Sequence, residues 1–207
     1  MRISASYFLR KNLILLILSA AALLGTCAAS HSVASKPSSF PASLTGVHHL
    51  GPEYVINRFY INQSIGDNIG EGGGGGSMVC CMTLPQKWRP SISVDVRWEV
   101  HHIIIRSTDP KRPDTAELEG IYQAQVPVEE YAEPGDFFVH FFPNGRVRVV
   151  VSNFHSNNES HPIRQGDTKA IQTAIRGKPI KALFTEEELA EGLKKIEAHR
   201  RKYGDWR

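Results

Sequence analysis

The most regular alternation of apolar and polar side chains runs through residues 92–101. Its apolar positions are Ile92, Val94, Val96, Trp98 and Val100. A period of two residues is typical of a strand that turns one face to a core and the other to solvent. We therefore predict a strand here, with Asp95, Arg97 and Glu99 together on its outer face. This charged row is interpreted either as a solvated, ion-paired surface or as part of a binding face.

Other segments share this apolar, β-branched and aromatic character, which favours strands. Strands are predicted at residues 53–61, 122–128, 137–142 and 146–151. The last two are joined through Asn144-Gly145, a pair that tolerates the positive φ angles of a type I′ turn, so a hairpin is expected. Residues 46–155 are therefore interpreted as one β-rich domain.

The pattern changes to a helical period near the end of the chain. Thr185 and Glu188 have the spacing of a capping box, which predicts a helix over residues 186–203. Its narrow apolar stripe suits docking on the sheet, and the helix is too polar to insert in a bilayer. A second, short helix is expected within residues 167–176, and residues 156–207 are interpreted as a helical basic tail. The predicted fold class is mainly β (α+β), an antiparallel sheet or sandwich with a C-terminal amphipathic helix.

The first residues have the organisation of an export signal. Arg2, Arg10 and Lys11 precede an apolar run at residues 13–24, which is short for a spanning helix. The Leu24-Gly25-Thr26-Cys27 sequence that follows resembles the lipobox of bacterial lipoproteins, although Thr26 departs from the small residue usual there. The resemblance implies a signal peptide at residues 1–26 and a lipid on Cys27.

Residues 27–45 are then a lipidated tether, since residues 30–43 are rich in Ser and Pro. Ala28 is not the aspartate that commonly retains lipoproteins at the inner membrane, so the resemblance implies an outer-membrane lipoprotein that faces the periplasm. Two alternatives are cleavage near Ala28 or Ala29, which gives a soluble periplasmic protein, and an uncleaved inner-membrane anchor.

The charge balance argues against a nucleic-acid partner. The chain of 207 residues has a formal net charge of +3, with 24 basic and 21 acidic residues. Three of the basic residues precede Cys27, and the rest of the chain is formally neutral, whereas nucleic-acid binding needs a basic footprint. Residues 114–136 contain acids and no Lys or Arg, and basic residues dominate from Lys169 onward. Both runs are solvated surface or, alternatively, faces for a basic partner and for an acidic partner or lipid head groups.

A glycine tract and two adjacent cysteines precede the alternating strand. The tract consists of Gly72, Gly73, Gly74, Gly75 and Gly76. No Gly-Lys-Ser/Thr follows it, so it is interpreted as a mobile loop or as backbone that approaches a partner closely. Cys80 and Cys81 are interpreted as buried thiols, as a vicinal disulfide or as a source of one reactive thiol.

Catalytic, metal and cofactor sites are not predicted. No HExxH or paired-cysteine zinc spacing is present, and no Gly-x-Ser-x-Gly surrounds a serine. His48-His49 and His101-His102 are adjacent pairs whose members face opposite ways on a strand. His140 and His155 flank the predicted hairpin, and these two are the histidines expected to approach each other.

Residues 54–151 resemble the bacterial domain-of-unknown-function family 3304. The resemblance rests on the glycine tract, on Val79-Cys80-Cys81, on the link from Leu84-Pro85 to Trp88-Arg89-Pro90, and on the Val94-x-Val96-x-Trp98 strand. It implies a small secreted lipoprotein that resembles the immunity proteins encoded beside phospholipase effectors of type VI secretion. The family carries no established catalytic residue.

The predicted localisation, the charged surface runs and the family resemblance together indicate that the protein acts by binding, without catalysis. The protein is predicted to bind and neutralise a phospholipase effector at the membrane that carries its lipid anchor. The candidate contact residues are Gly72, Gly73, Gly74, Gly75, Gly76, Trp88, Glu129, Glu130 and Glu133. The alternatives are an envelope structural or assembly lipoprotein and a small periplasmic enzyme.

Overall fold

The computed structural model describes residues 38–70, 79–109, 111, 112 and 114–204. Two five-stranded sheets and one C-terminal helix make up this part of the chain. The elements are β1 Ser39–His48, β2 Tyr54–Ile61, β3 Ser64–Ile65, β4 Val79–Pro85, β5 Ser93–Ile105, β6 Thr115–Pro127, β7 Asp136–Phe142, β8 Arg146–Ser152, a 3-10 helix Thr168–Thr173, β9 Ile175–Arg176, β10 Lys178–Pro179 and α1 Glu186–Tyr203. The predicted mainly β fold with a C-terminal helix is confirmed.

Sheet A has the order β4-β1-β7-β8-β9, and sheet B has the order β10-β6-β5-β2-β3. Every pairing is antiparallel except that of β1 with β7. A parallel neighbour needs a long connection, and the chain between these two strands builds most of sheet B. Sheet A is therefore mixed and sheet B is antiparallel.

The core lies between the two sheets, because each contributes its alternating apolar face. Val94, Val96, Trp98 and Val100 from β5 meet Val147 and Val149 from β8 in one buried cluster. Trp98 has no exposed surface, and its ring lies 5.6 Å from that of Phe141. The face predicted to point inward along β5 is thus the buried one.

A second apolar cluster covers the other face of sheet A. Phe138, Phe142 and Val150 pack there against Ile163 and Ala170, which belong to the segment between β8 and β9. Sheet A is consequently buried on both faces, and this accounts for the apolar residues at consecutive positions of β7, such as Phe137, Phe138 and Val139. Residues 156–207 were predicted to be a helical basic tail. A helix is present at the end of this segment, while the residues before it cover sheet A and add β9 and β10 to the two sheets.

The predicted hairpin is present, with Asn144 at φ +61° and Gly145 at φ +62° between β7 and β8. A difference arises at the start of the domain, where residues 27–45 were predicted to be a tether. Ser39–His48 forms β1 in the middle of sheet A, between β4 and β7. The Ser and Pro residues of this segment favoured a tether, although Phe40, Ala42 and Leu44 form an alternating buried pattern within it.

Helix α1 has the predicted bounds and the predicted cap. The Thr185 side chain accepts from the Glu188 backbone N–H, and the Glu188 carboxylate accepts from the Thr185 N–H. The expected docking of its apolar stripe is wrong, because no residue of α1 is buried and Leu193 is 62% exposed. No helix among the described residues is long and apolar enough to cross a membrane.

The short helix expected within residues 167–176 is a 3-10 helix, Thr168–Thr173, followed by β9. Asp167 caps it by accepting a hydrogen bond from the Lys169 backbone N–H at 3.0 Å. Ala170 is the residue that this helix buries against sheet A.

Candidate functional site

Strand β4 forms one edge of sheet A. In the part of the chain that the structure describes, its strand neighbour is β1 alone. The strand Val79–Pro85 contains no charged residue. A register shift against β1 between Ala42 and Leu44 interrupts the first part of the strand, whereas residues 82–85 pair in regular register. Backbone N–H and C=O groups along such an edge can pair with another extended chain, and natural edges often carry charges that prevent this.

The other edges of the two sheets end in shorter strands. Sheet A ends in β9, and sheet B ends in β10 and β3, each two residues long. Strand β6 extends beyond β10, which pairs only with Tyr122 and Gln123, but this extension carries Glu117 and Glu119. Short edge strands and charged residues are common protections against pairing with another chain. Strand β4, with seven residues and no charge, is therefore an edge that can accept an added strand.

The pairing of β4 with β1 shows which backbone groups point to the open side. Gln86 N donates to Ser38 O at 3.0 Å, and Phe40 lies opposite Leu84. Hydrogen-bonded and non-hydrogen-bonded pairs alternate in an antiparallel ladder, so Phe40–Leu84 is hydrogen-bonded like Ser38–Gln86, and the next pair, Pro41 and Thr83, is a non-hydrogen-bonded one. The N–H of Thr83 thus points away from β1, towards the open edge.

Trp88, predicted as a contact residue, anchors the link that leaves β4. Its Nε1–H donates to the Val128 carbonyl oxygen at 2.8 Å, and its ring packs on the core between the sheets. Tyr131 donates in the same region to the carbonyl oxygen of Pro85 at 2.6 Å. These two bonds bring the acidic segment after β6 to the Pro85 end of β4.

The three predicted glutamates at this end have different environments. Glu129 forms two hydrogen bonds to the guanidinium of Arg148, at 2.6 Å and 2.7 Å, and so takes part in the fold. Glu130 and Glu133 are exposed. They leave an acidic surface beside the end of β4, and Trp88 and Glu129 act mainly to hold the backbone that carries it.

Residues 72–76 and Cys27 lie outside the described residues. Residues 79–81 form the first part of β4, opposite the Leu44 end of β1. The glycine tract therefore precedes one end of β4 in the chain, while the acidic surface lies at the other. The predicted chemistry of Cys80 and Cys81 concerns side chains outside the described part, so it stays a prediction.

A chain of three histidines is the polar feature that the sequence did not predict. His49 Nε2 lies 3.0 Å from His140 Nδ1, and His140 Nε2 lies 3.1 Å from His161 Nε2. His140 was expected near His155, but its partner from this segment is His161, which the covering layer places on sheet A. The sequence carried one sign of this histidine chain, which is the presence of a histidine among the apolar residues of β7. A buried polar group at such a position needs hydrogen-bond partners.

The bonding pattern assigns one tautomer to each neutral ring. His161 Nδ1 lies 2.6 Å from the Phe154 carbonyl oxygen, which can only accept, so this nitrogen carries the proton. His161 Nε2 then accepts from His140 Nε2–H, and His140 Nδ1 accepts from His49 Nε2–H. His49 Nδ1 is left as a buried acceptor without a partner among the described residues.

Burial keeps these imidazoles neutral. It lowers the pKa of His49 to about 4, assisted by the charge of His48, and lowers the pKa of His140 well below 6.5. Burial also lowers the pKa of His161. A protonated imidazole has two donors and no acceptor, so His140 or His161 would lose the nitrogen that accepts in this chain. His49 would gain its proton at the unpartnered Nδ1 and keep its bond to His140. The three residues therefore form a pH-sensitive connection between sheet A and the segment that covers it.

No group of His, Cys, Asp or Glu in the described ranges has an arrangement that could hold a metal ion. His49 does line a pocket of about 330 Å³, together with Gly51, Gln165 and Thr168. The pocket lies between the end of β1 and the loop before the 3-10 helix. The histidine chain runs from His49 at this pocket through His140 to His161, which bonds to the Phe154 carbonyl oxygen.

The outer row of β5 is ion-paired. Glu99 is 6% exposed and accepts two hydrogen bonds from Arg58, at 3.0 Å and 2.9 Å. Arg97 contacts Asp95 and also Glu188 of α1. The charged row of β5 was interpreted either as an ion-paired surface or as part of a binding face, and these contacts agree with the ion-paired surface. The first turn of α1 also attaches to this row, through Glu188.

Residues 52–149 match the model of a family described as "Protein of unknown function (DUF3304)". The matched segment begins just before β2 and ends within β8, a little under half of the chain. It contains β4, β5 and the hairpin, and it leaves out β1 and the layer that supplies His161. No curated protein and no solved structure matches the chain.

Proposed function

We propose that this chain, whose residues 52–149 match the domain of unknown function, acts by binding another protein at the cell envelope. The observation that carries the proposal is the open, uncharged edge of β4. An extended segment of the partner pairs with this edge, and main-chain hydrogen bonds supply much of the affinity.

The surroundings of β4 supply specificity. Glu130 and Glu133 form an exposed acidic surface at one end of the strand, which favours a partner with basic residues near its extended segment. The glycine tract precedes the other end of β4 in the sequence, and residues without Cβ atoms allow close approach of a partner's backbone.

The proposed localisation is the periplasmic side of the outer membrane, to which a lipid on Cys27 anchors the protein. Support comes from the basic and apolar leader and from the lipobox-like Leu24-Gly25-Thr26-Cys27. Each buried CH₂ of an acyl chain contributes about 0.8 kcal/mol to membrane attachment. Attachment raises the effective concentration of the domain at the bilayer that it protects.

The proposed partner is a phospholipase effector of type VI secretion, and the proposed role is that of an immunity protein. This part of the proposal rests on the resemblance of residues 54–151 to lipoproteins encoded beside such effectors. The mechanism is stoichiometric occlusion, in which the bound domain covers the region through which the lipase reaches lipid. No catalytic step by this chain is required.

The experiment compares two substitutions at Thr83 in binding to a co-encoded phospholipase effector. Thr83→Pro removes the N–H that points to the open edge and leaves the β1 ladder unchanged, because Thr83 lies in a non-hydrogen-bonded pair. Thr83→Ala removes the side chain and keeps the N–H. One lost edge hydrogen bond with disturbed pairing is expected to weaken binding by about tenfold.

Binding by the wild type and the Ala variant but not by the Pro variant supports the edge mechanism. If all three proteins bind equally, the partner is correct but the interface does not include the edge of β4. If the full chain neither binds nor inhibits any co-encoded lipase, the immunity role is wrong. Envelope defects on deletion in the absence of a competitor strain then favour the structural lipoprotein.

A further inference from the structure

Helix α1 has an apolar stripe that no described residue covers. Its members are Leu189, Leu193, Ile196 and Tyr203, which are 54–65% exposed. Their spacing of four, three and seven residues places them on one line along the helix. The helix contacts the domain through its first turn, where Glu188 bonds to Arg97.

The charges of α1 are distributed unequally along its axis. The first turn contains Glu186, Glu187 and Glu188, and the last contains Arg200, Arg201 and Lys202. Within the helix, Lys195 pairs with Glu191, and Arg201 pairs with Glu197. Among the described residues, Lys194, Arg200 and Lys202 have no carboxylate partner. The half that points away from the domain is therefore the positive half.

The position of Arg200 decides between a lipid and a protein occupant. Arg200 follows Ile196 by four residues and precedes Tyr203 by three, so it lies within the apolar stripe. An apolar groove of a protein would bury this guanidinium without a carboxylate, which is unfavourable. At a bilayer surface, the same side chain extends from an apolar stem to the phosphate level.

We propose that the C-terminal half of α1 binds the surface of an anionic phospholipid bilayer. Leu193, Ile196 and Tyr203 enter the boundary between head groups and acyl chains, while the unpaired cations meet lipid phosphates. The acidic first turn stays on sheet B, away from the negative surface. This second contact is independent of Cys27 and of the effector.

The test measures amide hydrogen exchange of peptides from α1 in the full chain on two kinds of vesicle. One contains phosphatidylcholine alone, and the other contains phosphatidylcholine with phosphatidylglycerol. The apolar leader can enter either vesicle, so the local exchange rate of α1 is the informative quantity. On anionic vesicles we expect exchange over residues 193–203 to slow by about tenfold, because bound helices fray less.

Two variants and one control test whether the apolar stripe and the cations of α1 are both needed for the protection. Leu193→Glu and the triple change Lys194→Gln, Arg200→Gln, Lys202→Gln are each expected to abolish the protection. Lys181→Gln removes an exposed cation outside α1 and is expected to leave the protection unchanged. Exchange in β5, measured in the same digests, checks that each variant is folded.

Protection on anionic vesicles that needs both the stripe and the cations supports the proposal. Absence of protection on both vesicles overturns it, as does equal protection on neutral and anionic lipid. Protection that appears only when a protein partner is added also overturns it, in favour of a protein occupant for the stripe.

Discussion

Arg97 and Glu188 join the outer face of sheet B to the first turn of α1 through two hydrogen bonds of 2.8 Å. The same carboxylate accepts from the Thr185 N–H at 2.9 Å and completes the capping box. Glu188 therefore stabilises the start of the helix and also fixes it to the domain. These contacts lower the pKa of Glu188 to about 2, the Arg97 bonds first among them.

Glu188→Gln is expected to release the start of α1. The amide cannot reproduce the bidentate pair with Arg97, and loss of charge-assisted hydrogen bonds at this half-exposed site costs about 1 kcal/mol. The measurement is the free energy of unfolding in urea, with hydrogen exchange of residues 186–192. Glu186→Gln is the control, since its exposed side chain has no described ion pair.

The same carboxylate predicts an acid dependence of helix attachment. Its folded pKa of about 2 lies below its ordinary value of 4.5, so its contribution is complete above pH 4.5 and declines as the pH falls towards 2. Exchange of residues 186–192 should accelerate over that interval in the wild type. A similar acceleration in Glu188→Gln would show that another group is responsible.

The histidine chain predicts a second pH effect at higher pH. Because burial holds the folded pKa of His49 near 4, the unfolded chain binds more protons below pH 6.5. The free energy of unfolding should therefore decrease as the pH falls from about 6.5 towards 4. Replacing His49 with Gln should flatten this slope in a urea titration carried out across the interval.

His161→Phe tests the chain at constant pH. The ring volume is kept, but the acceptor of His140 Nε2–H is lost, and one unsatisfied buried donor costs about 1–3 kcal/mol. His155→Phe changes an exposed histidine six residues away and should alter stability by less than about 0.5 kcal/mol. If both variants lose the same free energy of unfolding at pH 7, the histidine chain is not the cause of the loss.

Two glutamates that are adjacent in sequence should respond differently to substitution by alanine. Glu129→Ala breaks the pair with Arg148, which is 17% exposed, and is expected to lower the free energy of unfolding by about 1 kcal/mol. Glu130→Ala should leave stability unchanged and, by the proposed function, weaken binding of the effector. Thermal or urea unfolding combined with a binding titration separates the two roles.

Gly145 and Gly166 form a matched pair of positive-φ glycines. A Cβ at Gly145, where φ is +62°, would lie 2.4 Å from Tyr122 Cε1, whereas one at Gly166, where φ is +81°, meets no atom within 4 Å. Gly166→Ala therefore costs about 1 kcal/mol through backbone conformation alone. Gly145→Ala is expected to cost about 2–4 kcal/mol, because the hairpin or the Tyr122 ring must move.

Local patterns in the sequence determined β2, β5, part of β6, β7 and β8, together with the Asn144-Gly145 turn and the capped helix. Each depends on residues close together in the chain: a two-residue period, a pair that tolerates positive φ, or a reciprocal bond between Thr185 and Glu188. The inner face of β5 was predictable for the same reason.

Only the tertiary structure decided which polar residues meet and which edges stay open. His49, His140 and His161 come from β1, β7 and the covering layer, and no local period relates them. The apolar stripe of α1 stays exposed because the helix meets the domain through its first turn, at Arg97, and buries none of its residues. The open side of β4 likewise depends on strand order, which is set by long-range pairing and burial.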